Sequence, residues 1–235
     1  MTNSETAQVF ATMPARDARF MVAATWAECT NLPEGHARKI PEFLHRQMNE
    51  EIDALECSAR SICDFPDTPW EIRMFLARQC SDESRHAELF RDMFVRRGGT
   101  IGEYPVLNFQ YQIICAFDTL IARLAVQNRT FEAEGDKGLT DLLDGQFADE
   151  IVHVRMANDI IRQMIRTEPR LVMKIATAIN SAKHAFAGIF GQEGSKVVKY
   201  GVSEKGRLEA GFAPQEIATA KTLVLGRQVA QPRTS

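Results

Sequence analysis

The chain has 235 residues and a formal net charge of -3, with 45% hydrophobic and 25% charged residues. That supports one sizeable domain, or a domain with an appendage, of ordinary soluble composition. No overall basic field draws it to nucleic acid or an anionic membrane, no window approaches 18 consecutive apolar residues, and MTNSETAQVFATMPARDARF lacks the basic flank and apolar run of a secretory signal.

Residues 1–38 are mixed, with a short helix expected over Ala15–Cys29 and a turn at TNLPEG. From Pro41 the pattern is helical. Leu44, Met48, Leu55 and Ile62 recur at three-, four- and seven-residue steps, with Pro41 placed as a first-turn residue. Two prolines and two aspartates in CDFPDTP end that helix. A second long helix is expected from Pro69 to Arg97, stopping at Gly98-Gly99. A third is expected over Asn108–Glu134 and a fourth over Thr140–Arg166, with Arg170–Ile189 and Pro214–Gly226 helical beyond it. The reading is all-α: four long helices arranged as two hairpins, with additional N- and C-terminal helices. Its parts are an N-terminal extension at 1–38, the four-helix core at 39–167 and a C-terminal helical extension at 168–235.

The five cysteines, Cys29, Cys57, Cys63, Cys80 and Cys115, form an odd set without a Cys-x-x-Cys pair. Four fall inside helical patterns, which fits reduced thiols acting as small core residues and a cytoplasmic location. Trp26 and Trp70 read as packing at helix ends, and Phe109 and Tyr111 as core. His36, His45 and His184 stand outside any Asp-Glu-x-x-His pattern and read as ordinary.

Two stretches carry the chemistry. SDESRHAEL, from Ser81, and ADEIVHVRM, from Ala148, both contain Asp-Glu-x-x-His. With 19 glutamates and five histidines among 235 residues, chance expects fewer than one Glu-x-x-His pair. Requiring an aspartate before the glutamate lowers the expectation to about 0.02. On a helix, residues i and i+3 share a face, so Glu83 with His86, and Glu150 with His153, can each reach one point. Two metal ions in a four-helix bundle are held by two such helices plus one glutamate from each remaining helix. Carboxylates neutralise the cations and imidazoles supply nitrogen donors. A metal-bound imidazole donates its other N–H to a carboxylate, a role for Asp82 and Asp149, each toward the histidine of the opposite helix.

Hairpin geometry locates the first single glutamate. Glu83 lies 17 residues beyond Pro66, and counting back 15 to 17 residues reaches Asn49, Glu50 and Glu51. Glu51 shares the apolar seam, Glu50 is expected to point outward, and Glu56 is assigned either to the layer that supports the ligands or to the pocket lining. In the second hairpin Asp118 lies 32 residues before Glu150, matching the separation of Glu51 from Glu83, whereas Glu132 lies only 18 before it. Pattern alone leaves both open.

EEIDALECSARSICDFPDTP, DESRHAELFRDMFVRRGG, GEYPV, TFEAEG and DEIVHV, spread over Phe43–Met164, resemble the bacterial ferritin-like family catalogued as domain of unknown function 455. That family is similar to the di-iron tRNA hydroxylases and, more distantly, to ferritins, rubrerythrins and ribonucleotide reductase small subunits. The resemblance implies a ferritin-like four-helix bundle with ligands at Glu51, Glu83, His86, Glu132, Glu150 and His153. It favours Glu132 over Asp118, because TFEAEG occupies the family's third-helix motif. Two departures stand out. The second hairpin is shorter by about four helical turns, and Asn49 replaces a histidine that members often carry.

The leading functional reading is a non-haem di-iron oxygenase or oxidase. It would use two iron ions, or a manganese–iron pair, and dioxygen to hydroxylate, N-oxygenate or desaturate a small molecule, with electrons from an external donor. A homodimer is left open. Lys196, Lys199 and Tyr200 in the C-terminal extension are candidates for meeting an anionic group. The competing readings are iron handling of the ferritin–rubrerythrin type, RNA hydroxylation and a metal-free helical module. A pI near 6.0 weighs against RNA.

Overall fold

Leu44, Met48, Ala54 and Cys57 recur at helical spacing and are all buried, the amphipathic pattern that forms α1 over Lys39–Asp64. Pro41 falls in its first turn, where a missing N–H removes no helical bond. The computed structural model describes residues 20–131, 144–197 and 204–219. Among these the protein is all-α apart from one two-stranded sheet. After the Phe65–Pro69 connection, α2 (Trp70–Arg96) returns along α1, and this hairpin forms the most extensive helix contact. Gly98, at φ 73°, takes the left-handed conformation that ends α2. Gly99 lies so close to Phe94 that a Cβ there would sit 2.2 Å from the ring.

The short helix expected over Ala15–Cys29 does not form in its described part. Residues Val22–Ala23 make a strand, β1, followed by a single 3₁₀ turn at Trp26–Glu28. β1 pairs in parallel with β2 (Val106–Leu107), matching Val22 to Val106 and Ala23 to Leu107. Tertiary partners account for the difference. Asn49 on α1 donates its Nδ2 to the Leu107 carbonyl at 2.8 Å, holding β2 in place. Trp26 is buried and stacks on Phe190 with ring centroids 5.5 Å apart. Trp70, the other tryptophan expected to pack, is 68% exposed at the start of α2.

The single third helix expected over Asn108–Glu134 is broken. It appears as α3 (Phe109–Ile114), α4 (Leu120–Val126) and a π-helical turn at Gln127–Phe131; residues 132–134 lie outside the described ones. Buried side chains replace the lost helical bonds. Asp53 on α1 accepts from the backbone N–H groups of Gln110 at 2.9 Å and Tyr111 at 3.2 Å, capping α3 from a neighbouring helix. Between α3 and α4, Thr119 is extended at φ -128°, ψ 139°. The buried Arg123 guanidinium takes the freed carbonyls of Cys115 and Phe117 while pairing with Asp64 at 2.6 Å.

α5 (Asp144–Thr167) carries the second motif, and α6 (Leu171–Val197) runs past its expected end at Ile189, with a break in helical geometry at Gly191. α7 (Glu204–Glu209) leads to a helical segment at 214–219. This C-terminal segment lies on α5. Asn158 donates to the Ala210 carbonyl, Arg155 to that of Glu209, and Phe212 and Ile217 pack on Val154 and Ile151. Arg129 of the π turn bonds Asn158 and pairs with Glu216. Residues 220–226 of the last expected helix, the Lys196 side chain, Lys199 and Tyr200 lie outside the described residues. Among the described residues no helix is long and apolar enough to cross a membrane, and all five cysteines are free thiols.

Candidate metal centre

Three helices supply the site. The buried stripe of α1 runs through Met48 and Glu51, that of α2 through Gln79, Glu83, His86 and Phe90, and that of α5 through His153, Ala157 and Ile161. Helical spacing puts Glu150 beside His153, as it puts Glu83 beside His86. Glu51, Glu83, His86 and Glu150 each bring one ligand atom within 4.8 Å of the others.

Glu83 lies between the two imidazoles. Its Oε2 is 3.0 Å from His86 Nδ1 and its Oε1 is 3.4 Å from His153 Nδ1. Glu150 reaches both as well, with Oε1 3.6 Å from His86 Nδ1 and Oε2 3.8 Å from His153 Nδ1. Glu51 Oε2 faces His86 Nδ1 at 3.7 Å. Both histidines thus turn Nδ1 toward the carboxylates. Their Nε2 atoms face aspartates on the opposite helix: His86 Nε2 meets Asp149 at 3.2 Å, and His153 Nε2 meets Asp82 at 3.1 Å. Because α2 and α5 run antiparallel here, the residue before each glutamate lies beside the other helix's histidine. Arg85 bridges the two aspartates, its Nη2 2.8 Å from Asp82 and 3.0 Å from Asp149.

Concentrating acid in a buried site shifts its protonation. Burial pushes the Glu51 carboxyl well above the usual range, and the charges of Glu83 and Glu150 add to this against the opposing pull of His86. Burial and Glu83 raise Glu150. Burial would also raise Glu83, but hydrogen bonds from His153 and His86 outweigh it and hold that carboxyl at about 2. Burial works against a charged His86, yet Glu51 and Glu83 lift it to about 10. For Asp149, burial is overcome by Arg85 and His86, which lower it.

Of the six expected ligands, Glu51, Glu83, His86 and Glu150 converge and His153 stands beside Glu83 and Glu150, while Asp82 and Asp149 take the expected crossed positions. Glu132 lies outside the described residues. Asp118, the alternative, is corrected by the break in the third helix: it sits exposed on the bend between α3 and α4, outside the cluster. Glu56 is half-buried on α1 and is likewise not among the converging groups. Two glutamines were missed. Gln146 on α5 donates its amide to Glu51 Oε1 at 2.7 Å, and Gln79 on α2 donates to Glu83 Oε1 at 3.4 Å. A signal for them exists: QCSDESRH and QFADEIVH both read Gln-x-x-Asp-Glu-x-x-His, with the glutamine one turn before the glutamate.

The donor set suits a cation. Glu150 Oε2 is buried and accepts no hydrogen bond among the described residues. Carboxylate oxygens with imidazole nitrogens form a harder donor set than thiolates do. Fold and site together define an all-α protein with a buried carboxylate–histidine cluster that can hold a metal ion. The chain belongs to the family described as protein of unknown function (DUF455), whose model matches residues 1–218. That match extends well beyond the Phe43–Met164 stretch carrying the motifs. No curated protein and no solved structure matches the chain.

Proposed function

We propose that this centre holds two metal ions, both iron or one manganese and one iron, in a ferritin-like bundle. The protein is then a non-haem oxygenase or oxidase that uses dioxygen to oxidise a small molecule by hydroxylation, N-oxygenation or desaturation. One observation carries the reading: Glu83 directs one oxygen to each of two different imidazole Nδ1 atoms, as a ligand shared between two metal positions would. Glu150 lies between the same pair. His86 and Glu51 would complete one position. His153 and, from the family resemblance, Glu132 would complete the other.

When bound, a pair of ferrous ions supplies the electrons that reduce dioxygen. The protein contributes orientation and enclosure. Asp82 and Asp149 accept hydrogen bonds at the histidine Nε2 atoms and leave Nδ1 free for a metal. Gln146 occupies one oxygen of Glu51 and leaves the other facing His86. Burial of Glu83, His86 and His153 keeps bulk water from the reacting groups. Turnover needs an external electron donor, because a two-metal site retains no reducing equivalents after oxidation.

Anaerobic loading with Fe(II), followed by oxygenated buffer, tests the reading. Two irons per chain and oxygen uptake that rises with reductant and a small-molecule substrate are expected. Protein made in iron-replete cells that carries and binds neither iron nor manganese would sink it. Cage-sized assemblies that oxidise iron without substrate-dependent oxygen uptake would transfer the centre to iron handling.

A further inference from the structure

We infer that Arg85 is a positioning residue common to both metal positions, setting the two imidazoles at once through their aspartates. The inference rests on the two-metal reading above. One atom carries it. Arg85 Nη2 lies 2.8 Å from Asp82 Oδ1 and 3.0 Å from Asp149 Oδ2, so one guanidinium nitrogen ties a carboxylate on α2 to a carboxylate on α5. Each aspartate then holds a different imidazole: Asp82 that of His153, Asp149 that of His86. The chain of contacts from Arg85 divides once and ends at Nδ1 atoms that both face Glu83.

An exposed Arg–Asp pair three residues apart on one helix ordinarily contributes little, and Arg85 is 59% exposed on its side chain. Its bond to Asp149 is of another kind. That contact crosses between helices and joins residues 64 apart in the chain. Asp149 Oδ2 accepts from both Arg85 and His86, so displacing the guanidinium frees the carboxylate to rotate away from the ring. Asp82 uses Oδ1 for Arg85 and Oδ2 for His153, so its two contacts fix its rotation. Asp82 also has Arg78 Nε at 3.8 Å, whereas among the described residues no second arginine or lysine pairs with Asp149. Loss of Arg85 therefore disturbs both imidazoles, and His86 more than His153.

The experiment is Co(II) titration of the intact protein with proton NMR of the exchangeable, hyperfine-shifted Nε2–H signals, one from each metal-bound histidine. Asp149→Asn should move the His86 signal and Asp82→Asn the His153 signal, which assigns them. Arg85→Gln should move both, the His86 signal further, and weaken Co(II) affinity about tenfold, the lower end for groups that orient metal ligands. Arg85→Lys keeps the charge and should recover most of the affinity while still shifting both signals. If Arg85→Gln does not fold, Arg85→Lys decides by the same signals. Both signals at wild-type positions, with unchanged affinity, overturn the role of Arg85 and leave the metal centre standing. Wild-type protein that takes up no Co(II) removes the centre itself.

Discussion

His86 and Asp149, 63 residues apart in sequence, meet at 3.2 Å across antiparallel helices, and Asp82 and His153 repeat the contact in reverse at 3.1 Å. This crossing turns two local motifs into one site. Each helix brings the ligands for one side of the cluster and the carboxylate that orients the other helix's imidazole, so neither α2 nor α5 can form the centre alone.

Glu83 is expected to be the most sensitive ligand, because both histidines depend on it. Glu83→Gln should lower metal affinity by more than about 100-fold, beyond what is usual for groups that only orient ligands. Asp118→Asn, on an exposed bend, should leave affinity within about twofold, as for surface changes generally. Titration with Fe(II) or Co(II) under argon measures both. A comparable loss from Asp118→Asn would place the second hairpin's ligand at the bend.

Metal uptake at pH 7 should release protons, because the metal-free site holds His86 charged and Glu51 raised. Calorimetry in buffers of different ionisation enthalpy counts them. The linked effect on folding has a definite sign. His86 rises from 6.5 to about 10 on folding, so its contribution to stability is complete below pH 6.5 and is lost as pH rises through about 10. Melting temperatures of metal-free protein should therefore fall across that window. Metal-loaded protein should not show this loss.

Gln146 should control how Glu51 binds. Its amide occupies Glu51 Oε1, so Gln146→Leu removes that donor at similar size and frees the carboxylate to rotate. A loss of about tenfold in metal affinity is expected, with a changed ligand-field spectrum of the Co(II) protein. An unaltered spectrum would show that Glu51 needs no such support.

His45 is a separate, structural site. It is fully buried, its Nε2 accepts from the Gly102 backbone N–H at 2.9 Å, and Phe94 and Tyr104 pack edge-on against the ring. Burial lowers it from 6.5 to about 4, so its contribution is complete above pH 6.5 and is lost as pH falls toward about 4. His45→Ala should cost about 2–4 kcal/mol by leaving a cavity and an unpaired Gly102 N–H. Urea unfolding at pH 7.5 and pH 5 should show wild type losing more stability on acidification than the variant does.

Local periodicity is legible in a sequence because it needs no partner. The i, i+3 spacing alone puts Glu83 with His86 and Glu150 with His153 on shared faces, and the apolar seam around Glu51 selects it over Glu50. Antiparallel pairing of the two motifs even implies the crossed aspartates. The same spacing would have revealed Gln79 and Gln146 had the motif been read one turn further back. Other features were decided only by tertiary contact. Arg123 and Asp53, buried among other helices, make up the backbone hydrogen bonds lost where the third helix breaks, and that break puts Asp118 outside the cluster. Asn49 and Trp26 convert an expected helix into a strand and a turn. Gln146 reaches Glu51, 95 residues away, and one Arg85 nitrogen joins two helices. These depend on which surfaces meet, a property of packing between segments distant in the chain that no spacing within a single segment encodes.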